Sequence, residues 1–464
     1  MTSRLRSAGA GLRGAAGYWS AAGFPAMSRP AYRRELGVSL SFPVARSVFE
    51  GGVAGVLAEY VFGVGSLGFA AISSAPVFAN LTAGVWARAA RGRPRGPMAS
   101  ALLCGFCGCV AATALLPASA WGGWAFVGLV VLGRSLLAGW AAVRTDLWRA
   151  NYPRSLRAAA AARFDSLGTL LLAMGPLLVF PLLDYRAELF RVAYPAAAGV
   201  GLCGAWSVRR LRRRHGGRLL RLERAGLEVG GRSRGRGAGV WRVLRDDPAF
   251  RGYMVWQFFG GTANLMGNTA VMYHVVQVMR GADWAGTLAV VLNASAPMAV
   301  MLISMPWWAR YLDRVHITTF RSRQGLVWVF TQSANGLAAG LGLGVWGLGV
   351  ARLSQGFAFG GGGLAWQLGH HDFASAERAA AYMGAHQVLT GVRGLFAPAL
   401  GVLLLAGWES RSMSVGGWGT TLPGYAGIGA WVFAITTALA AVACAGFWRM
   451  HLRHGGSAGA DGDG

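Results

Sequence analysis

Long apolar stretches recur along the whole chain and are separated by short polar segments. Each stretch has about 20 residues, the length that a helix needs to cross a hydrocarbon core of about 30 Å. The alternation therefore predicts an all-α polytopic membrane protein with twelve transmembrane helices. The predicted spans are 42–62, 66–87, 97–116, 122–143, 160–183, 191–208, 250–279, 284–309, 323–343, 345–368, 385–405 and 425–446.

Landmark residues of the first six spans return in the same order in the last six. The offset between the copies stays close to about 220 residues. Because each copy holds an even number of spans, both enter the membrane in the same direction, and an axis along the membrane normal relates them. The matches are Ser74-Ala75-Pro76 with Ser295-Ala296-Pro297, Trp86 with Trp308, Arg134 with Arg352, and Pro176 with Pro398.

The pattern divides the chain into two six-helix bundles joined by a polar segment. That segment contains RRLRRR and GGRSRGRGAG, too charged to enter a bilayer and too rich in glycine for a stable domain. We expect it to be mobile and to lie on anionic lipid head groups. The predicted segments are 1–41 (cytosolic N-terminal tail), 42–208 (N-terminal bundle), 209–249 (cytosolic Arg/Gly-rich linker), 250–446 (C-terminal bundle) and 447–464 (cytosolic C-terminal tail).

Charge and composition exclude a soluble protein. Only 13% of the 464 residues are charged, whereas a soluble domain usually has about 25%. The net charge is +26, and the basic residues, all arginines, fall mainly in segments on the side that we assign to the cytosol. This asymmetry is the positive-inside pattern, so the charge needs no nucleic-acid partner. We expect a multi-pass protein of a bacterial inner membrane with both termini cytosolic; whether translation starts at Met1 or Met27 stays open.

Two charged loops follow the second and eighth spans. They read GVWARAARGRPR over 84–95 and WARYLDR over 308–314. Both resemble the signature of the major facilitator superfamily, in which glycines, an acid and basic residues form a cytosolic gate. Arg88 stands where the acid is expected, and charge that only sets the topology is the alternative. The candidate gating residues are Arg88, Arg91, Gly92, Arg93, Arg310, Asp313 and Arg314.

Arg134 and Arg352 lie well inside the predicted fourth and tenth spans. Arg352-Leu-Ser-Gln-Gly resembles the Arg-x-x-x-Gly motif of the superfamily. An arginine within a span is costly unless it is paired or hydrated, so it faces the bundle interior or a water-filled cavity. On equivalent spans the two would repel each other unless an anion or a carboxylate lay between them. We therefore expect both to bind an organic anion; purely structural hydrogen bonds are the alternative.

Two acids of the first span are candidates for proton coupling. Glu50 follows Arg46 by one helical turn, and a local ion pair between them is one interpretation. In the other, Glu50 or Glu59 faces Arg134 and carries a proton, since acids in transporter spans often relay protons.

The predicted seventh span is rich in polar residues. Asn264 and Asn268 are one turn apart on the same face. In the superfamily the first, fourth, seventh and tenth spans line the cavity, so the resemblance makes both amides candidate substrate-binding residues. Hydrogen bonds between helices are the alternative.

The resemblance covers about 400 residues and implies a monomeric secondary transporter of a small solute that works by alternating access, without a cofactor. The chain lacks a Gly-x-x-x-x-Gly-Lys-Ser/Thr loop, so energy would come from an ion or solute gradient. His370, His371 and Asp372 lack a further ligand, so no metal site is predicted. A non-transporting receptor or scaffold is the alternative, and an enzyme would need clustered catalytic groups at one membrane face. The cargo, its direction and the coupling ion stay open.

Overall fold

The structure is a computed structural model that describes residues 19–225, 240–370, 372–374, 379–415 and 418–455. Predictions for residues 1–18, for the centre of the linker at 226–239, for His371 and for the C-terminal tail from 456 onward lie outside the described residues. Within the described residues the chain is almost entirely helical.

The helices fall into two halves with a polar segment between them. The first half contains α1 (Arg29–Ser47), α2 (Gly51–Tyr60), α3 (Gly65–Ala90), α4 (Arg95–Ala112), α5 (Ala120–Asn151), α6 (Arg154–Tyr185) and α7 (Phe190–Arg209). The segment between the halves contains α8 (Gly216–Arg224) and α9 (Val240–Asp246). The second half contains α10 (Pro248–Met279), α11 (Ala285–Leu312), α12 (Ile317–Gly340), α13 (Gly344–Leu368), α14 (Ala379–Ala406) and α15 (Trp431–Gly455). A short antiparallel hairpin of β1 (Arg411–Val415) and β2 (Trp418–Leu422) connects α14 to α15.

Helices lie at each of the predicted spans, and the multi-pass, all-α membrane class is confirmed. Six helices of the described chain are long and apolar enough to cross a membrane. They are Arg95–Leu115, Ala120–Asn151, Ala159–Tyr185, Ala285–Leu312, Tyr382–Ala406 and Trp431–Arg453. The total of twelve spans stays a prediction, because other helices are broken, as between α1 and α2, or carry many polar groups, as α10 does.

The helix pairings of the first half return in the second. In the first half α1 packs on α6 and α7, α3 on α5, and α4 on α5 and α7. In the second, α10 packs on α14 and α15, α11 on α13, and α12 on α13 and α15. Between the halves, α3 packs on α14, and α6 packs on α11. The two contacts are equivalent, because α3 corresponds to α11 and α6 corresponds to α14 in the repeat. We call the end of the molecule where α1 begins and α15 ends the terminal face, and the opposite end the far face.

Two segments differ from the sequence-based expectation. The first helix begins at Arg29, within the segment 1–41 that was expected to be a tail, because Ser28 and Tyr32 are buried. The Ser28 hydroxyl donates a 2.7 Å hydrogen bond to the Asn151 carbonyl at the end of α5. Because arginines lie near its start, the pattern of apolar residues does not predict this part of the helix. The second difference is the presence of α8 and α9 in the segment 209–249, which was expected to be mobile.

Candidate functional site

The first predicted span is broken near its middle, and Arg134 closes the break. α1 ends at Ser47, Glu50 has an extended backbone (φ −70°, ψ 142°), and α2 begins at Gly51. A helix end leaves carbonyl groups without intrahelical partners. Arg134 Nη2, from α5, donates a 2.8 Å hydrogen bond to the Phe49 carbonyl and lies 3.3 Å from Glu50 Oε1. The guanidinium thus satisfies both the main chain and the carboxylate at the break.

Glu50 bridges two arginines. Its Oε2 lies 3.2 Å from Arg46 Nε, so the pairs that the sequence suggests for Glu50, with Arg46 and with Arg134, are both present. Arg134 is buried, whereas the side chains of Arg46 and Glu50 are 40% and 22% exposed. Arg46 and Glu50 are therefore the charged groups of this cluster that reach open space.

Arg352 closes a second irregular helix in the other half. α11 contains a π-helical turn at Val291–Ser295, which changes the register of its carbonyl groups. Arg352, from α13, donates to the Leu292 carbonyl at 2.9 Å and to the Asn293 carbonyl at 3.0 Å. It also donates to Asn268 Oδ1 at 3.0 Å and to the Gln355 side chain. The side chain is buried, and no carboxylate pairs with it within the described residues.

The two irregular helices meet at the interface between the halves. A Cβ on Gly52 would lie 2.7 Å from Met272 Cε and 3.3 Å from the Asn293 carbonyl oxygen, so a side chain here would have to displace the Met272 methyl group and press on the main chain of α11. Asn293 Nδ2 donates a 3.0 Å hydrogen bond to the Met272 carbonyl. The segments that Arg134 and Arg352 stabilise are therefore in direct contact. The arginines do not confront each other across an open cavity, because each donates its hydrogen bonds to groups of its own half.

Glu59 lies far from Arg134 and joins the two halves at the far face. Glu59 Oε2 accepts a 2.5 Å hydrogen bond from Arg280 Nη2 at the end of α10, and the Glu59 side chain is 1% exposed. The neighbouring Tyr60 hydroxyl donates to the Val276 carbonyl at 3.0 Å. Arg280 does not stand out in the sequence because it lies in a polar loop at the end of α10. It could have been found because few charged residues lie in the loops of the far face.

A second carboxylate joins the halves at the same face. Asp184, near the end of α6, accepts hydrogen bonds from the main-chain N–H groups of Gly286 and Thr287, each at 2.7 Å. The Thr287 hydroxyl adds a third bond of 2.5 Å. The carboxylate thus caps the N-terminus of α11, where free N–H groups and the helix dipole favour an anion. Together with the Glu59 pair, these bonds close the far face.

The first candidate gating loop is bound by the segment between the halves. Glu223 of α8 accepts a 3.1 Å hydrogen bond from the Gly92 main-chain N–H and is paired with Arg95 at 3.1 Å and with Arg213 at 2.7 Å. Arg95 also lies 3.0 Å from Asp146. Burial tends to raise the pKa of Glu223, but the bonds from Arg213, Gly92 and Arg95 outweigh it and hold the pKa below its usual value. The candidate gating loop has Arg88 where the resembling motif has an acid. Glu223 supplies a carboxylate to this loop from the segment between the halves.

The remaining candidate gating residues are solvent-facing. Arg88, Arg91 and Arg93 are exposed at the end of α3 and in the loop that follows it. Arg310, Asp313 and Arg314 are exposed around the end of α11, where Arg310 Nε donates to the Pro306 carbonyl at 3.2 Å. Glu223 was missed by the sequence analysis, although it is the one acid in the arginine-rich stretch 209–225.

Asn264 and Asn268 belong to different sites even though they are one turn apart. Asn268 accepts hydrogen bonds from Arg352 and from Gln355 Nε2, the latter at 2.7 Å. Asn264 instead lines a cavity of about 240 Å³ inside the second half. Only Asn268 therefore belongs to the arginine cluster at the interface.

No family model matches the sequence, and no curated protein matches it. Solved structures do match the fold. The nucleoside transporter NupG, in a mutant form, aligns with a TM-score of 0.63 and 13% identity over 90% of this chain and 98% of that chain. The xylose transporter XylE from E. coli, in a partially occluded inward-open conformation, aligns with a TM-score of 0.57 and 13% identity over 90% and 95% of the two chains.

A POT family transporter in complex with 5-aminolevulinic acid aligns with a TM-score of 0.59 and 12% identity, covering 90% of this chain and 96% of that one. At these identities the likeness shows the fold and nothing finer. These neighbours are transporters and not enzymes, which agrees with the expectation of a non-enzymatic membrane protein.

Proposed function

We propose that this chain, which has the fold of a major facilitator transporter, is a secondary transporter that moves a small solute by alternating access. The observation that carries the proposal is the direct contact between two irregular helices, each closed by an arginine from its own half. The bonds of Glu59 and Asp184 hold the halves together at the far face. Rocking the halves about the central contact would break these bonds and open the far face while the terminal face closes.

The proposed cargo is a small organic anion. At the centre of the interface, three arginines (Arg46, Arg134 and Arg352) accompany one paired carboxylate, Glu50, so the local charge is positive. A guanidinium offers a planar fork of donors that matches a carboxylate or a phosphate. The solved neighbours are a nucleoside transporter, a xylose transporter and a transporter in complex with 5-aminolevulinic acid, so the fold serves small polar solutes. Asn268, hydrogen-bonded to Arg352, is proposed to contact the cargo after the halves have rocked.

Protonation of Glu50 is proposed to couple proton and cargo. The ionised carboxylate occupies Arg46 and Arg134, and a proton bound to it removes its charge. Both guanidiniums then become available to the carboxylate of the cargo. Glu59 is proposed to take a second, gating proton at the far face, which would weaken its bond to Arg280 and favour opening.

The terminal face is proposed to be cytosolic in a bacterial inner membrane. Arg34, Arg209 and Arg210 lie at this face, and Arg209 and Arg210 are exposed. Arginines near an anionic leaflet each contribute about 1 kcal/mol of attraction. The monomer is then proposed to close at this face through the Gly92 and Asp313 loops when the far face opens.

Proton-driven uptake by proteoliposomes tests this proposal. A panel of organic anions is offered with and without acidification of the cargo side. Uptake of the cargo should accelerate on acidification, Glu50→Gln should lose most of that acceleration while retaining measurable binding, and Arg134→Gln should lose uptake. Glu188→Gln is the matched control, because Glu188 is exposed at the far face.

Two results would contradict different parts of the proposal. If only neutral or cationic ligands bound, with affinities unchanged in Arg134→Gln and Arg352→Gln, the anion would be abandoned and both arginines assigned to structural hydrogen bonding. If folded protein bound solutes but moved none of them, the receptor alternative would replace transport.

A further inference from the structure

A cavity inside the second half has no part in the transport cycle described above. It measures about 240 Å³ and lies among α10, α12, α13, α14 and α15, and its described lining contains no residue of the first half. Two arginines line it, Arg321 of α12 and Arg393 of α14, and their residues are only 7% and 6% exposed. Neither forms an ion pair with a carboxylate within the described residues. Charged side chains are rarely buried in this way without a partner.

Arg321 is held in place but keeps a free donor. Its Nη1 donates a 2.9 Å hydrogen bond to Gln324 Oε1, and its Nε lies 3.4 Å from the Tyr253 hydroxyl. Gln324 is oriented in turn by a 2.9 Å bond from its Nε2 to the Ala358 carbonyl. Arg321 Nη2 is buried without a hydrogen-bond partner. The guanidinium is thus positioned by neutral groups and leaves one N–H side unused.

Arg393 has the same character on the opposite wall. Its Nη1 donates a 2.6 Å hydrogen bond to the Gln257 carbonyl, and its Nε is buried without a partner. A Cβ on Gly261 would lie 2.0 Å from Arg393 Nη1, so only glycine allows the guanidinium to lie against α10. The glycine therefore makes room for a charge that no carboxylate of the described residues neutralises.

The rest of the wall combines a few polar side chains, among them Asn264 and Gln324, with aromatic surface. Asn264 Oδ1 is buried without a hydrogen-bond partner, so the amide is available to a ligand. Trp328, Phe359, Trp366 and Phe447 supply apolar and aromatic surface around it. A few convergent polar groups in a mostly apolar lining are typical of a small-molecule site.

We propose that this cavity binds a small organic anion, with its carboxylate between Arg321 and Arg393 and its apolar body against Trp328 and Phe359. The unused N–H groups of the two guanidiniums supply charge-assisted hydrogen bonds, and the anion supplies the missing counter-charge. Asn264 binds a second polar group of the ligand. The cavity is of a size for a compact ligand such as an aromatic monocarboxylate, because it lies just below the usual range of about 300–1,000 Å³.

This site is separate from the cargo site proposed at the interface. The described lining belongs to one half, so rocking the halves does not by itself expose the cavity to both faces in turn. We therefore assign it to an accessory ligand that stabilises the second half. Its existence does not depend on whether the protein transports anything, and a binding measurement tests it without a transport assay.

Thermal unfolding of the purified full-length chain in detergent tests the site, with sodium benzoate as the probe and sodium chloride added to hold ionic strength constant. Benzoate should raise the unfolding temperature in proportion to the logarithm of its concentration, and the neutral isostere benzamide should not. Arg321→Gln and Arg393→Gln should each weaken the apparent benzoate affinity by about tenfold or more. Arg323→Gln is the matched control, because Arg323 lies on the same helix but is exposed.

Three results would overturn the site. The first is stabilisation by benzoate that does not exceed stabilisation by chloride or benzamide, a comparison in the unmodified protein that stands even if an arginine variant fails to fold. The second is a loss of the effect in Arg323→Gln as large as the loss in Arg321→Gln. The third result is an effect that Arg134→Gln removes and Arg393→Gln leaves intact, which would place the anion at the interface.

Discussion

At the scale of single residues, Asp184 illustrates how one side chain joins the two halves. Its carboxylate accepts three hydrogen bonds from Gly286 and Thr287 at the start of α11. A cap of this kind contributes about 0.5–2 kcal/mol to the stability of a helix end. Because the cap comes from the other half, its free energy also favours the closed far face.

Asp184→Ala should therefore increase hydrogen exchange at the main-chain amides of Gly286 and Thr287 by about tenfold, the factor that corresponds to about 1.4 kcal/mol. Asp184→Asn, which keeps one acceptor oxygen, should have a smaller effect. Glu188→Ala removes a nearby exposed carboxylate and serves as the control. Mass spectrometry of a peptide covering 284–290 measures the rate, and unchanged exchange in Asp184→Ala would show that the cap does not hold this helix.

The sequence indicates which buried polar residues matter at this scale, but not the atoms that they bind. Arg134 and Arg352 stand out because charge inside an apolar span is costly. Their acceptors are main-chain carbonyls at an interruption and a π-helical turn, and no side chain marks such an acceptor in the sequence. The same holds for Arg321 and Arg393, whose shared cavity depends on packing between helices distant in sequence.

At the scale of secondary-structure elements, α8 changes the interpretation of the segment between the halves. It lies in an arginine-rich segment that was expected to be mobile, yet Glu223 fixes the helix to the first candidate gating loop. This single acid accepts bonds from Gly92, Arg95 and Arg213, and such a specific set of contacts cannot be predicted from the average composition of the segment. α8 is therefore positioned to influence that loop.

Glu223→Ala should release α8 from the loop. Losing a carboxylate that accepts bonds from Gly92, Arg95 and Arg213 removes about 1–3 kcal/mol of docking, so trypsin should cleave after Arg218 about tenfold faster or more. Glu188→Ala is again the matched control. Mapping the cleavage sites by mass spectrometry separates this site from others in the segment, and equal cleavage in both variants would mean that Glu223 does not hold the helix.

The docking of α8 should also depend on pH in a defined direction. The pKa of Glu223 is lowered in the folded protein, so its contribution is complete above the pKa of a free glutamate and is lost as the pH falls through the lowered value. Hydrogen exchange of the α8 amides, corrected for the intrinsic exchange rate at each pH, should therefore stay slow at neutral pH and accelerate only in strong acid. The Glu223→Gln variant should lose this transition.

At the scale of the whole molecule, the repeat in the sequence corresponds to the repeated helix pairings of the two halves. Apolar periodicity and collinear landmarks were sufficient to predict the class and the two-part organisation. The relative placement of the halves could not be predicted in this way. It depends on pairs such as Glu59 with Arg280 and Ser66 with the Gly407 carbonyl, which belong to one arrangement of the halves and would separate in another.

Alternating access is tested by electron spin resonance, which measures the distances between spin labels on the two halves at both faces of the same preparation. Spin labels are attached in pairs to the full-length protein in lipid nanodiscs, after the exposed native cysteines are replaced by serine. The labelled pairs are Arg186 with Asp283 at the far face and Arg93 with Arg314 at the terminal face, and the replaced cysteines are Cys104 and Cys203.

Acidification together with an organic anion should lengthen the far-face distance and shorten the terminal-face distance in the same molecules. Glu59→Gln should shift both distances in the same directions without acid, because it weakens the bond to Arg280. Distances that stay fixed under every condition in protein that remains folded, or that lengthen together at both faces, would contradict alternating access.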